Sequence, residues 1–193
     1  MANLAKDDPI SAAKAIIEQH GGMIRTAQAL RSGIHPRTLY HMRDEGQLET
    51  ISRGLYRLSD LPPLGNPDLT AVAQRVPHCV ICLISALAFH EMTTQIPHEV
   101  YLALARGKSR PRIEHPPIRV FWFSDSAFNT GVESQIIDGT PVRIYSPEKT
   151  LADVFRYRND LGLETAIEAL RLYRQKGRMR IDRLMKCARA CRV

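Results

Sequence analysis

Residues 23–59, MIRTAQALRSGIHPRTLYHMRDEGQLETISRGLYRLS, decide how this chain is read. A short helix carrying Thr26, Ala27, Ala29 and Leu30 breaks at Gly33, and a second helix opens at Pro36. Proline at a first helical position and glycine between two helices suit a tight helical corner. In the second helix Leu39 and Met42 lie three apart and share a face, which turns Arg37, Thr38, His41 and Arg43 toward solvent. Gly46 closes that helix. Two short alternating runs, 48–51 and 55–58, flank Ser52-Arg53-Gly54 and predict a hairpin with Arg53 at its tip.

Each sign has a plain structural alternative, an ordinary helical corner followed by an unrelated hairpin. Their order within one short stretch argues for more: corner, cationic helix, then a hairpin with a basic tip. That order predicts a winged helix-turn-helix, whose second helix lies in the major groove while the wing touches the adjacent backbone.

The whole chain sets the bounds. Its 193 residues suffice for one large domain or two small ones, and 44% hydrophobic residues fit a globular protein. No apolar run approaches the length needed to span a bilayer, and Lys6, Asp7 and Asp8 interrupt the first nine residues before a secretory signal could form. A cytoplasmic protein without a membrane partner is expected. The net charge of +7 favours a polyanionic partner, double-stranded DNA here. Its distribution is uneven: residues 1–61 hold eight Lys and Arg against seven Asp and Glu, whereas residues 156–193 hold eleven against four. Arg171, Arg174, Lys176, Arg178, Arg180 and Arg183 cluster around Gly177, either as a solvated face or as a second basic surface for phosphates or an acidic partner.

Periodicity divides the chain further. Residues 10–20 read as a first helix stopping at Gly21-Gly22, which completes a three-helix reader over 1–61. Residues 62–67, rich in proline, read as a linker, and 68–193 as a second domain. There, helices are expected at 68–75 and at 85–92, the latter capped by Ser85. Strands are expected at 99–103, 118–123, 135–137 and 142–145, the last two joined by an Asp138-Gly139 turn. From Ser146 onward the period is helical. The fold class is α+β, a winged helix-turn-helix followed by a mixed domain of helices and a small sheet.

Reactive groups are few. His90 ends an apolar helical stripe and reads as a core or rim residue. Asp138, Glu148 and Lys149 invite comparison with a metal-dependent nuclease, but the turn already accounts for Asp138. In SPEKT, Ser146 reads as a cap, Pro147 as the first helical residue and Glu148 as favoured by the helix dipole. Cys79 and Cys82, and Cys187 and Cys191, have chelating spacing, yet VPHCVICLI reads as buried packing, so neither metal nor cofactor is expected.

Three blocks carry a resemblance: SALAFHEMTTQIPHEVYLAL (85–104), DGTPVRIYSPEKTLADVFRYR (138–158) and LGLETAIEALR (161–171). With the reader domain, they make the chain resemble the AbiEi antitoxin family of type IV toxin-antitoxin systems over nearly its whole length. The resemblance implies an N-terminal winged helix that binds inverted repeats in its own promoter. It also implies a C-terminal antitoxin domain countering a toxin that resembles a nucleotidyltransferase, sometimes in phage-defence operons. Carried onto this sequence, the DNA-facing positions are Arg37, Thr38, His41, Arg43 and Arg53, with no catalytic residue. The competing readings are a nuclease targeted by a winged helix and a plain transcription factor with a sensor domain.

Overall fold

The computed structural model describes residues 8–177 and 179–193, so Arg178 lies outside the described residues. The chain is mixed α+β with two sheets, and divides into two compact units. One runs to Gln74 and includes Ile137–Thr140; the other comprises Arg75–Ile136 and Pro141–Val193.

The first unit begins with α1 (Pro9–Gln19), whose start is fixed by Pro9 and by the Asp8 carboxylate accepting the Ile10 N–H. Then follow β1 (Met23–Arg25), α2 (Thr26–Arg31), α3 (Pro36–Asp44), β2 (Leu48–Ser52) and β3 (Leu55–Leu58). The strands form an antiparallel sheet in the order β1-β3-β2, with Met23 opposite Arg57 and Leu48 opposite Leu58. Ala13 and Ile17 of α1, Ala29 of α2, Leu39 and Met42 of α3 and Leu58 of β3 meet in one core. The two helices of the corner are where the sequence puts them; β1 has no counterpart in that reading. Residues 62–67 belong to this unit, as does nearly all of α4 (Pro67–Arg75), and Leu64 packs against Met23, Leu55 and Ala71.

The second unit holds β4 (Val80–Ile81), α5 (Leu83–Phe89), β5 (Val100–Ala105), β6 (Ile118–Phe123), α6 (Asp125–Asn129), β7 (Val132–Ile137) and β8 (Thr140–Tyr145). These are followed by α7 (Pro147–Arg156), α8 (Arg158–Leu161), α9 (Leu163–Gln175) and α10 (Ile181–Cys191). Its sheet has the order β6-β5-β4-β8-β7, with β5 and β6 parallel and β4 antiparallel to β5. The Asp138-Gly139 turn has positive φ at both residues, 48° and 75°, as a tight two-residue hairpin requires. One expectation is corrected. Ser85 does not cap its helix, which starts two residues earlier at Leu83. Its hydroxyl is instead buried, accepting the Tyr101 N–H at 2.9 Å and facing the Glu99 carbonyl at 3.4 Å, so it serves the backbone at the start of β5. Among the described residues no helix is long and apolar enough to cross a membrane.

Candidate nucleic-acid interface

The helix α3 is pre-organised at its start by Pro36 and by His35, whose Nδ1 accepts the Arg37 N–H at 3.2 Å. Leu39 and Met42 are fully buried, which fixes the rotation of the helix. At 100° per residue, Arg37, Tyr40, His41 and Asp44 then point away from the core. Arg37 and His41 are exposed, and with Thr38, Tyr40 and Asp44 they line an open cleft of about 610 Å³ beside residues 8–10. Thr38 is half-buried on one flank. Arg43 lies on the other, where Nη2 and Nε reach Asp44 Oδ1 at 2.7 and 2.8 Å and the guanidinium sits 5.1 Å from the Tyr40 ring centroid. Hydrogen bonding to Asp44 holds the Arg43 guanidinium above its ordinary pKa, so part of its charge is spent within the helix. The sequence reading missed Tyr40. Its signal was available in the helical wheel, which places it beside Arg37 and Asp44.

The β2–β3 turn is exposed at Arg53 and tied down at Gly54, whose carbonyl accepts the Thr26 N–H at 3.0 Å. A backbone bond thus couples the start of α2 to the turn that carries Arg53. Four residues on, Arg57 has a different role. It is 6% exposed, with Nη1 2.5 Å from Glu49 Oε1 and Nη2 bonded to the Pro62 carbonyl, so it holds the hairpin together.

In the second unit, Arg171 and Arg174 of α9 are exposed, as are Arg180 and Arg183. Lys176 is committed, with Nζ donating to the His90 carbonyl at 2.6 Å and pairing with Glu91 at 2.8 Å. Lys176, Arg180 and Arg183 share the wall of one cavity, which Arg171 and Arg174 do not line.

Of the three residues that invite comparison with a nuclease, Glu148 and Lys149 are buried, while Asp138 is half-buried and its carboxylate accepts the Gly65 and Asn66 N–H groups at 3.0 and 2.9 Å. Ser146 caps α7 as its sequence implies, accepting the Lys149 N–H at 3.3 Å. Lys149 is 0% exposed, 2.5 Å from the equally buried Asp153, with its ammonium over the Tyr145 and Phe123 rings at 4.1 and 4.7 Å. Burial pushes the Asp153 carboxyl up in pKa against the pull of Lys149, and its Oδ1 also accepts the Cys191 S–H at 3.2 Å. A lysine so enclosed steadies no attacking water. His90 is half-buried at a cavity rim, with Nε2 2.7 Å from the Tyr145 carbonyl; burial lowers its pKa and favours the neutral ring. All four cysteines are free and buried, and burial raises Cys79 and Cys191 to about 12, which keeps both as thiols. Among the described residues no three His, Cys, Asp or Glu side chains gather as a metal site.

Comparison with known proteins adds two findings. The model of the family described as "Transcriptional regulator, AbiEi antitoxin" matches residues 11–59, a stretch spanning most of α1 through β3. The crystal structure of RV2827C protein from Mycobacterium tuberculosis is similar in fold, with a TM-score of 0.50 at 12% identity over 93% of this chain and 75% of that one. No curated protein matches the sequence.

Proposed function

We propose, from the match to the AbiEi antitoxin regulators, that this chain is a cytoplasmic DNA-binding autorepressor and the antitoxin of a type IV toxin-antitoxin system. The first unit acts as a winged helix-turn-helix on inverted repeats of its own promoter. In this reading α3 enters the major groove, Arg37 and His41 reach base edges, and Thr38 and Arg43 touch the groove walls from the two flanks. Arg53 grips phosphate from the wing. The second unit opposes a toxin resembling a nucleotidyltransferase and carries no reaction of its own; residues 62–67 join the two functions. The observation that carries the reading is the family match at 11–59, because it falls on the segment that presents Arg37 and His41 outward.

The test uses the full chain with Arg37→Ala and Arg53→Ala together. Promoter binding and repression should be lost while co-expression with the cognate toxin still spares the cells. Unchanged promoter binding by this double variant would remove the reader from α3 and the wing. Loss of protection with the fold intact would mean that the two roles are not divided between the units.

A further inference from the structure

Among the groups of the second unit, one cavity collects side chains that the proposed function leaves unused. Its volume is about 360 Å³, within the range of small-molecule pockets, and Phe89, Met92 and Pro147 give it an apolar strip. Glu148 forms part of the wall. It is 5% exposed, and its Oε1 accepts the Tyr173 hydroxyl at 2.9 Å, while Oε2 has no hydrogen-bond partner among the described residues. Its place in the first turn of α7 sets it beside the positive end of the helix dipole. The Tyr173 oxygen also accepts the Arg180 N–H at 3.1 Å, so one side chain fixes both the buried carboxylate and the start of the basic rim. Glu133 and Gln135 of β7 face the same space. Across the rim, neither Arg180 nor Arg183 forms an ion pair among the described residues.

A simple anion would meet the guanidiniums and be repelled by Glu133 and Glu148. A simple cation would meet the reverse. The arrangement suits a molecule that is anionic at one end and rich in hydroxyl donors at the other, since forked guanidinium groups pair with phosphate oxygens and a carboxylate accepts from hydroxyls. We propose that this cavity binds a small phosphorylated sugar or nucleoside, with the phosphate on Arg180 and Arg183 and the sugar hydroxyls on Glu148 and Glu133. The apolar strip of Phe89, Met92 and Pro147 receives the ring carbons or a base.

Isothermal titration of the full chain with ribose 5-phosphate and with adenosine monophosphate tests this. Saturable binding of either is expected, equal affinities marking a sugar-phosphate site and tighter adenosine monophosphate a nucleotide site. The Arg180→Ala, Arg183→Ala double variant should weaken binding roughly tenfold or more. Glu148→Gln should do the same, with Glu133→Gln as the alternative if melting shows Glu148→Gln to be unfolded. The proposal is overturned if neither compound binds at millimolar concentration, if inorganic phosphate binds as tightly as both, or if the folded variants bind like wild type.

Discussion

The two units treat charge in opposite ways. In the first, the cations of α3 and the wing lie outside the core, and only Arg57 is drawn in. In the second, α7 buries Glu148, Lys149 and Asp153 along one helix, with a tyrosine, a thiol and two aromatic rings as their company. Charges that remain hydrated are available to a partner and contribute little to stability. A buried pair such as Lys149 and Asp153 is withheld from any partner, and removing one member is costly because the other is left without water or counter-ion. Substitutions at hydrated cations should therefore change binding, and removal of one member of a buried pair should change folding.

The largest effect should come from Lys149→Met. It leaves Asp153 buried without its ammonium and should cost about 3–5 kcal/mol, read as a lowered urea midpoint. Lys149→Met with Asp153→Leu should recover much of that loss, since an apolar pair of similar volume avoids the desolvation of both ions. If the double variant is no more stable than the single, the pair is not the source of the cost. Arg57→Ala is the corresponding change in the first unit. Its loss leaves Glu49 and the Pro62 carbonyl without their donor and should cost about 2 kcal/mol. Arg53→Ala, only four residues away, should leave the melting temperature where it was. Equal losses at the two positions would erase the distinction between a buried and an exposed arginine within one hairpin.

The sequence exposes one side of this contrast better than the other. Residues 26–58 announce their structure because local signals agree: Pro36 starts a helix, Gly46 ends it, and Leu39 and Met42 set its buried face. Arg37 and His41 follow from that face alone. Three-residue β1 shows too little alternation to be read, since Met23–Arg25 becomes a strand only by pairing with β3. Ser85 looked like a cap because serine before an apolar run commonly is one. Its partner is instead the backbone of β5, sixteen residues away at Tyr101, which no local pattern reveals. The cavity of the second unit is hidden for the same reason. Its walls come from residues near 90, 134, 148, 173 and 180, and only the packing of α5, β7, α7, α9 and α10 brings them together.

Binding tests the other side. Arg37→Ala should cost about 1–3 kcal/mol on the promoter and relax preference at one base position, with melting unchanged. Arg53→Ala should weaken all sequences alike and reduce the salt slope by roughly 0.9, the share of one phosphate. If both variants lose the same affinity on specific and random DNA, α3 holds the backbone and does not read bases. A smaller change is expected from Arg171→Glu with Arg174→Glu, exposed positions that do not line the cavity of the second unit. A reduced salt slope with intact protection would assign them to DNA. Intact repression with weaker protection would assign them to the antitoxin role, and no change in either assay would make them a solvated face.

The smallest effect sharpens the contrast within the second unit. Glu168 accepts the Thr94 hydroxyl at 2.6 Å, the Thr94 N–H at 3.1 Å and the Thr93 hydroxyl at 3.1 Å. These bonds, the Thr94 hydroxyl foremost, hold its carboxyl below the ordinary pKa, opposite to Asp153, which burial pushes up. A carboxyl whose folded pKa is depressed contributes stability above its unfolded pKa of about 4.3 and loses it as pH falls through the lower folded value. Glu168→Gln should therefore be less stable than wild type at pH 6, and the gap should close below pH 4. Solvent at this half-exposed position screens the interaction, so the gap should be well under that of Lys149→Met. Urea midpoints for both proteins at pH 6 and in acid decide it. A gap of constant size would mean that Thr93 and Thr94 are held equally well by an uncharged amide, and that ionisation of Glu168 contributes nothing to the tie between α9 and residues 93–95.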